Sequence, residues 1–62
     1  MISDEELVTK IIMYRAEHNL NQNEFAKRIG LTQATLSSIE NMKRSPTNVT
    51  KAKILLYIER NK

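Results

Sequence analysis

A single glycine constrains the fold of this chain more than any other residue. Gly30 is the only glycine among 62 residues, and it lies between two large aliphatic residues, Ile29 and Leu31. One short helical pattern ends beside it and another begins two residues later, so the chain must reverse sharply here. Just past a helix end the left-handed conformation is common, and there a Cβ costs about 1–2 kcal/mol that glycine avoids. The pattern predicts two short helices joined by a tight turn, either a helix-turn-helix or a plain αα-hairpin.

Chain length and cysteine content limit what can stabilise the fold of this chain. The chain has no cysteine, so it has neither a disulfide framework nor a thiolate metal site, and its length suffices for one domain, residues 1–62. So short a chain buries only about 60% of the surface that its unfolded form exposes. The longest apolar run, Ile54 to Ile58, is far shorter than the ~20 residues of a membrane span. We expect a soluble intracellular protein made of packed helices.

The first two helices are predicted from their N-terminal signals. Ser3 with Glu6 three residues later forms a capping-box pattern, and the helix that follows is expected to run to about His18. Asn21 with Glu24 repeats the pattern before the second helix. No convincing strand pattern is present.

The third and fourth helices follow the glycine. Thr32 is a suitable N-cap for a third helix that ends near Asn41. Ser45 is the expected N-cap of the fourth helix, with Pro46 at its first position and the helix covering roughly 47–60.

Apolar spacing predicts which faces form the core. The expected inward-facing residues are Leu7, Ile11 and Tyr14, then Phe25, Ala26 and Ile29, then Leu36 and Ile39, and finally Val49, Ala52, Leu55 and Leu56. This leaves an apolar surplus of Val8, Ile12, Ile54, Tyr57 and Ile58. The surplus either closes the core or forms an exposed contact surface.

Charge is distributed unevenly along the chain. Residues 1–24 carry a net charge of −3, whereas residues 25–62 carry eight lysines or arginines against two glutamates, a net charge of +6. A small domain with one basic part often binds a polyanion through it, although the same charge also serves as a plain solvated surface.

Catalysis has little support in the sequence. His18 is the only histidine, it is expected near the end of the first helix, and no phosphate-binding glycine loop is present. A solvated histidine is the simpler interpretation. We expect no enzymatic activity, no cofactor, no metal and no small-molecule ligand.

The turn lies within a longer stretch that resembles a known family. This stretch runs from Leu20 to Pro46 and reads LNQNEFAKRIGLTQATLSSIENMKRSP. It resembles, without a gap, the phage repressor and Cro-like helix-turn-helix family, also called Xre-like. Residues 11–15 extend the match upstream, so that the resemblance spans residues 11–46, about 36 of the 62. The tail IEN.KR.P makes the match more specific than the turn alone. The resemblance implies an all-α, lambda-repressor-like bundle. This chain departs from the family in that we expect about four helices, without the usual fifth.

The resemblance also implies which residues read DNA. The third helix would be the recognition helix, lying in the major groove with its N-terminal residues on base edges. Gln33 is the strongest candidate because its amide both donates and accepts, which suits bidentate pairing with adenine, while Ala34 offers a methyl to thymine. The expected base-contacting residues are Thr32, Gln33, Ala34, Ser37 and Ser38.

Phosphate contacts are expected at the start of the second helix and after the third. Gln22 begins the second helix, where exposed N–H groups favour a phosphate oxygen. The expected phosphate-contacting residues are Gln22, Asn21, Asn41, Lys43 and Arg44, with Asn21 primarily an N-cap. Lys27 and Arg28 are interpreted as solubilising charges.

Four residues are expected to be structural: Gly30, Ala26, Arg15 and Glu40. Ala26 lies where the second and third helices cross, and a larger side chain would push them apart. The family commonly joins the positions of Arg15 and Glu40 in a partly buried salt bridge, which would hold the recognition helix at one angle. Met42 departs from the family, which usually has glycine there, so either it adopts the left-handed conformation or the loop takes another path.

The resemblance implies a sequence-specific regulator of transcription that binds double-stranded DNA. The simplest form is a dimeric Cro-like repressor on a pseudo-palindromic operator, in the cytoplasm of a bacterial cell or a phage-infected host. The expected dimer surface on the fourth helix is Ile54, Tyr57 and Ile58. Two alternatives stay open: an antitoxin that binds a protein partner through exposed apolar surface, and the isolated DNA-binding module of a longer repressor.

Overall fold

The computed structural model describes residues 2–62, and these residues form four helices. They are α1, Asp4–Glu17; α2, Gln22–Arg28; α3, Gln33–Glu40; and α4, Asn48–Arg60. No strand occurs within this described range, so the expected all-α fold is confirmed. None of the four helices is both long enough and apolar enough to cross a membrane.

The helices begin where short polar side chains cap them, as the sequence predicted for α2 and α3. The Asn21 side chain accepts the Glu24 N–H at 2.8 Å, and the Glu24 carboxylate accepts the Asn21 N–H at 3.0 Å, which completes a capping box. The Thr32 hydroxyl accepts the Thr35 N–H at 3.1 Å. These caps satisfy N–H groups that the helices themselves leave without partners.

At α1 only half of the predicted capping box forms. The Ser3 hydroxyl accepts the Glu6 N–H at 3.1 Å, as expected. The Glu6 carboxylate takes its hydrogen bond from the same hydroxyl, at 3.2 Å, instead of reaching the Ser3 backbone.

The predicted cap of α4 is wrong by two residues. Thr47 is the N-cap and accepts the Thr50 N–H at 3.2 Å, while Pro46 is buried before the helix begins. The Ser45 hydroxyl donates instead to the Asp4 carboxylate at 2.7 Å. Ser45 therefore joins the loop to the start of α1, and the cap of α4 lies two residues farther along the chain.

One core lies between the helices. α2 packs on α3, and α1 packs on both α3 and α4. The buried apolar residues are Leu7, Val8, Ile11, Tyr14, Leu20, Phe25, Ala26, Ile29, Leu36, Ile39 and Ile54. The predicted inward faces of the first three helices are therefore confirmed, and Val8, which the sequence left as surplus, is part of the core.

Of the four residues predicted to face inward from α4, only Leu55 packs against the core. Ile54 is fully buried, whereas Val49 is 76% exposed and Leu56 is 51% exposed. Ala52 is exposed as well, and Leu55 is half-buried. Ile54 therefore belongs to the core and cannot form part of a dimer surface, while the two other residues expected there, Tyr57 and Ile58, are half-buried against it.

Polar anchors at both ends of α4 set this orientation. The Lys51 ammonium lies 2.7 Å from the Asp4 carboxylate near the start of the helix. The Tyr14 hydroxyl donates to the Asn61 carbonyl oxygen at 2.7 Å beyond its end. Lys51 precedes Ile54 by one helical turn, so its ion pair with Asp4 holds the side of α4 that carries Ile54 towards α1. The Tyr14 hydrogen bond fixes the C-terminal end of α4 to the same helix.

Candidate nucleic-acid interface

The turn between α2 and α3 has the conformation that its glycine predicted. Gly30 has a φ of +74°, and its N–H donates to the Lys27 carbonyl at 3.3 Å. The Leu31 N–H donates to the Ala26 carbonyl at 2.8 Å, which makes the helix end a Schellman motif. Ala26 is fully buried where the helices meet. A Cβ at Gly30 would meet only the Lys53 ammonium, 3.8 Å away, so the backbone conformation and not crowding favours glycine here.

The outer face of α3 is polar and uncharged. Gln33 and Ala34 are exposed in its first turn, and Ser37 and Ser38 are half-buried one turn later. On the opposite face the helix is fixed by Leu36 and Ile39, both buried in the core. The structure therefore presents a short row of small and amide side chains on a well-anchored helix.

Thr32 has a different position from the rest of this row. It precedes the first residue of α3, and its hydroxyl both accepts the Thr35 N–H and donates to the Thr35 hydroxyl at 2.9 Å. Its O–H is donated to Thr35, so Thr32 offers a base its methyl group and an oxygen that can only accept.

Gln22, the first residue of α2, is held by a hydrogen bond to α3. Gln22 is half-buried, and its Nε2 donates to Glu40 Oε1 at 3.2 Å. Asn21, just before it, uses its side-chain oxygen in the cap. The capping box occupies the Asn21 and Glu24 N–H groups, so only the remaining N–H groups of the first turn of α2 can meet an anion.

The loop after α3 carries two exposed cations. Asn41 is the C-cap, and its amide donates to the Ser37 carbonyl at 2.9 Å and to the Ser37 hydroxyl at 3.2 Å. The Lys43 and Arg44 N–H groups both donate to the Ser38 carbonyl, at 2.9 and 3.2 Å. The backbone of this loop is therefore held against the end of α3 while the Lys43 and Arg44 side chains point outward.

Met42 adopts the left-handed conformation, with a φ of 59°. Of the two outcomes that its departure from the family allowed, the loop keeps the path that a glycine would take. Its N–H donates to the Ile39 carbonyl at 3.1 Å, so the helix still closes as a Schellman motif.

A salt bridge joins α1 to the end of α3. Arg15 Nη1 lies 2.7 Å from Glu40 Oε1, with the two side chains 21% and 7% exposed. Arg15 Nε also donates to the Leu20 carbonyl at 3.2 Å. Because Glu40 also accepts from Gln22, one carboxylate oxygen connects three helices, and its second oxygen is buried without a hydrogen-bond partner.

Arg28 has a partner that sequence reasoning missed. Its guanidinium donates to the Tyr57 hydroxyl at 3.3 Å, which raises the pKa of Arg28 because the hydrogen bond favours the charged form. Tyr57 in turn packs edge-on against Phe25 and Tyr14. A contact between α2 and α4 so far apart in the chain leaves no local pattern, so no sequence signal marked it.

His18 is exposed, as expected, but it is not free of the fold. Its ring stacks on Tyr14 with centroids 4.1 Å apart, and burial raises the pKa of the Tyr14 hydroxyl. Within residues 2–62, no group of three or more histidine, cysteine, aspartate or glutamate side chains is placed to hold a metal ion.

These features define a class of protein. Two short helices meet at a tight left-handed turn, the second exposes a polar face, and a basic loop follows it. This is a helix-turn-helix domain, the arrangement in which the second helix enters the DNA major groove.

Comparison with known proteins agrees with the geometry. The Helix-turn-helix family model matches residues 11–57. Antitoxin HipB of Escherichia coli is 37% identical over 57 residues, which span 92% of this chain and 65% of HipB. An uncharacterized HTH-type transcriptional regulator of Methanocaldococcus jannaschii is 42% identical over 38 residues, which span 61% of this chain and 58% of that protein. No solved structure matches the chain.

The chain belongs to the Xre/Cro-like helix-turn-helix family, a family of DNA-binding, non-enzymatic proteins. It spans only about two thirds or less of the length of the two curated relatives that it matches.

Proposed function

We propose that this chain is a sequence-specific regulator of transcription that reads double-stranded DNA with α3. The observation that carries the proposal is the row formed by Gln33, Ala34 and Ser37 on a helix fixed by Leu36 and Ile39. Side chains of this size reach base edges when a helix lies in the major groove. Charge is absent from the row, so base hydrogen bonds and methyl contacts dominate there.

Individual base contacts follow from the chemistry of the row. Gln33 pairs with adenine through its amide, since it can donate and accept at once. Ala34 contacts a thymine methyl, Ser37 and Ser38 reach bases or phosphates farther along, and Thr32 adds its methyl group.

Phosphate contacts come from two flanking elements. At the start of α2, Gln22 and Asn21 approach a phosphate together with the helix N–H groups. After α3, Lys43 and Arg44 bind the backbone, and Asn41 holds the loop from which they extend. These contacts fix the register on DNA and make the affinity depend on salt.

We propose that the regulator binds DNA as a homodimer through a groove between α1 and α4. The groove is lined by Ala52, Leu55, Leu56 and Ile58, with Lys10 and Glu59 at its edge. A two-fold contact is self-complementary, so Lys10 can face Glu59 of the partner subunit while the apolar residues meet. Of the dimer residues expected from the sequence, only Ile58 lies on this side, because Ile54 is buried and Tyr57 faces α2.

A dimer of this kind acts as a Cro-like repressor in the cytoplasm, where it occupies an operator and excludes polymerase. Two recognition helices on one side of the duplex would contact half-sites about 34 Å apart, one DNA turn.

A second candidate function is that of an antitoxin. The likeness to antitoxin HipB favours it, since that relative matches 92% of this chain. Exposed apolar residues such as Ile12, Met13 and Leu56 provide surface for a protein partner.

Selection of bound DNA from a random duplex pool, at near-physiological salt, tests the proposal. We expect enrichment of a two-fold symmetric site with half-sites about 10 bp apart. Enrichment of a single half-site would contradict the homodimer but still support sequence-specific DNA binding by α3. No enrichment, with only salt-sensitive binding, would contradict sequence-specific regulation and favour the protein-binding function.

A further inference from the structure

A basic cleft lies between the C-terminal end of α2 and the outer side of α4, and the proposed DNA contacts do not use it. Three cations line it: Arg28 from α2, and Lys53 and Arg60 from α4. The cavity has a volume of about 360 Å³, and none of its lining residues is acidic. We call it the α2–α4 cleft.

The floor of the α2–α4 cleft is apolar. Ile29 and Leu56 line it together with the ring of Tyr57, and Leu56 is half exposed to solvent. The hydrogen bond from Arg28 to the Tyr57 hydroxyl holds one cation at the edge of this floor. The cleft thus combines an apolar floor with a rim on which all three charged side chains are positive.

We infer that the α2–α4 cleft binds an acidic segment of a partner protein, in which carboxylates flank a large apolar side chain. The apolar side chain would cover Leu56 and Ile29, and the carboxylates would pair with the arginines and the lysine. Arginine suits this role because its planar donors match both oxygens of a carboxylate. Complementary charge of this kind gives an interface its specificity and speeds association.

DNA fits the cleft less well than a peptide does. No lining residue comes from α3 or from the loop of residues 41–44, which carry the proposed DNA contacts. The helical rise places Arg28 about 9 Å along α2 from Gln22, at the opposite end of the helix from its phosphate-binding N–H groups. A phosphate backbone also gives nothing apolar to cover the half-exposed Leu56.

A second copy of the chain fits less well too. An isologous contact would set the same three cations against themselves, and like charges repel. The groove between α1 and α4, with one lysine and one glutamate at its edge, is the better place for a two-fold contact.

Selection from a random peptide library on the immobilised full chain tests this inference. We expect enriched peptides to carry at least two carboxylates beside a leucine, isoleucine, phenylalanine or methionine. The triple variant Arg28→Gln, Lys53→Gln, Arg60→Gln should bind the synthetic form of an enriched peptide roughly tenfold more weakly or worse, since three exposed ion pairs are lost.

A matched pair of variants removes two positive charges each. Lys53→Gln, Arg60→Gln changes the cleft and should weaken peptide binding several-fold, whereas Lys27→Gln, Lys62→Gln lies outside the cleft and should leave peptide affinity within about twofold of the unmodified chain. Thermal unfolding of both variants checks that they fold. Leu56→Gln tests the apolar floor of the cleft. It keeps every cation and should still weaken peptide binding.

Three results would overturn the inference: enrichment of neutral or basic peptides, no enrichment at all, or equal peptide binding by the two double variants. A larger loss of DNA affinity in the cleft variant than in the control would assign the cleft to the DNA interface instead. The peptide measurements do not require DNA binding, so this inference and the proposed function can fail separately.

Discussion

In the described chain, three residues hold a positive φ, and each lies just past the C-cap of a helix. They are Asn19 with 55°, Gly30 with 74° and Met42 with 59°. In all three cases the following N–H bonds back to the helix, from Leu20 to Arg15, from Leu31 to Ala26 and from Lys43 to Ser38. The same Schellman closure therefore ends α1, α2 and α3.

Only one of these three closures was predictable from local chemistry. Glycine signals the left-handed conformation by itself, and asparagine tolerates it, although Asn19 was not singled out. Methionine gives no such signal, and only the glycine usual at that position in the family indicated what Met42 does.

Met42→Gly should stabilise the chain by about 1 kcal/mol, because glycine adopts this φ without a Cβ penalty. Chemical denaturation measures the change. Lys43→Gly is the control: outside the positive-φ region, added glycine flexibility should destabilise the chain by about 0.5–1 kcal/mol. A destabilised or unchanged Met42→Gly variant would show that the loop does not hold this conformation.

Asp4 should make stability depend on pH in acid. Hydrogen bonds from Lys51 and Ser45 lower the pKa of Asp4 below its ordinary value of 3.8. A lowered folded pKa means that the contribution is complete above the unfolded pKa, roughly above pH 5, and is lost as pH falls through the folded pKa.

Asp4→Asn should therefore lower the Tm at neutral pH, and its difference from the unmodified chain should shrink below pH 3.8. Thermal unfolding measured across this range checks it. Glu5→Gln removes the same charge from an exposed side chain in the same turn and should change the Tm little. A pH-independent gap between Asp4→Asn and the unmodified chain would contradict the role of the carboxylate.

Glu40 is a single residue that fixes the arrangement of three helices, because its carboxylate binds both Arg15 and Gln22. Glu40→Ala strands the Arg15 guanidinium and removes the acceptor of Gln22, so we expect a loss of about 3–5 kcal/mol, enough to loosen or unfold a domain of this size. Denaturation of Glu40→Ala beside Glu59→Ala, an exposed carboxylate, separates this effect from loss of charge. Unchanged stability of Glu40→Ala would refute the structural role of the pair.

At the scale of the elements, α4 shows where sequence patterns stop being informative. The existence and approximate ends of the helix were predictable, but five consecutive apolar residues from Ile54 to Ile58 allow more than one inward face. The face is selected by the contacts of Lys51 with Asp4 and of Tyr14 with Asn61, which join residues 47 apart in sequence. Interactions so distant in the chain have no local pattern.

This orientation of α4 predicts unequal costs of truncation. Ile54→Ala should destabilise the chain by about 2–5 kcal/mol, because it empties a fully buried site. Val49→Ala and Leu56→Ala remove similar volume from exposed sites and should each cost less than about 0.5 kcal/mol. If denaturation showed that Leu56→Ala destabilises the chain more than Ile54→Ala does, the inward face predicted from the sequence would be correct after all.

At the scale of the whole molecule, the fold and the candidate site differ in how far the sequence determines them. The turn at Gly30, the faces of α1 to α3 and the polar row on α3 follow from spacing and caps. The salt bridge between Arg15 and Glu40 was expected from the family alone. The α2–α4 cleft depends on how α4 is rotated, so it could be found only in the folded chain.

The most direct test of the central claim, that α3 reads bases, compares the base preferences of two chains. DNA is selected in parallel with the unmodified chain and with Gln33→Ala, and Lys27→Ala serves as the control for an exposed side chain outside the row. We predict that Gln33→Ala loses discrimination at one position of each half-site, worth about 1–3 kcal/mol, while the other positions and the Lys27→Ala preferences stay the same. An unchanged preference at every position in Gln33→Ala would contradict the claim that the start of α3 lies against the bases.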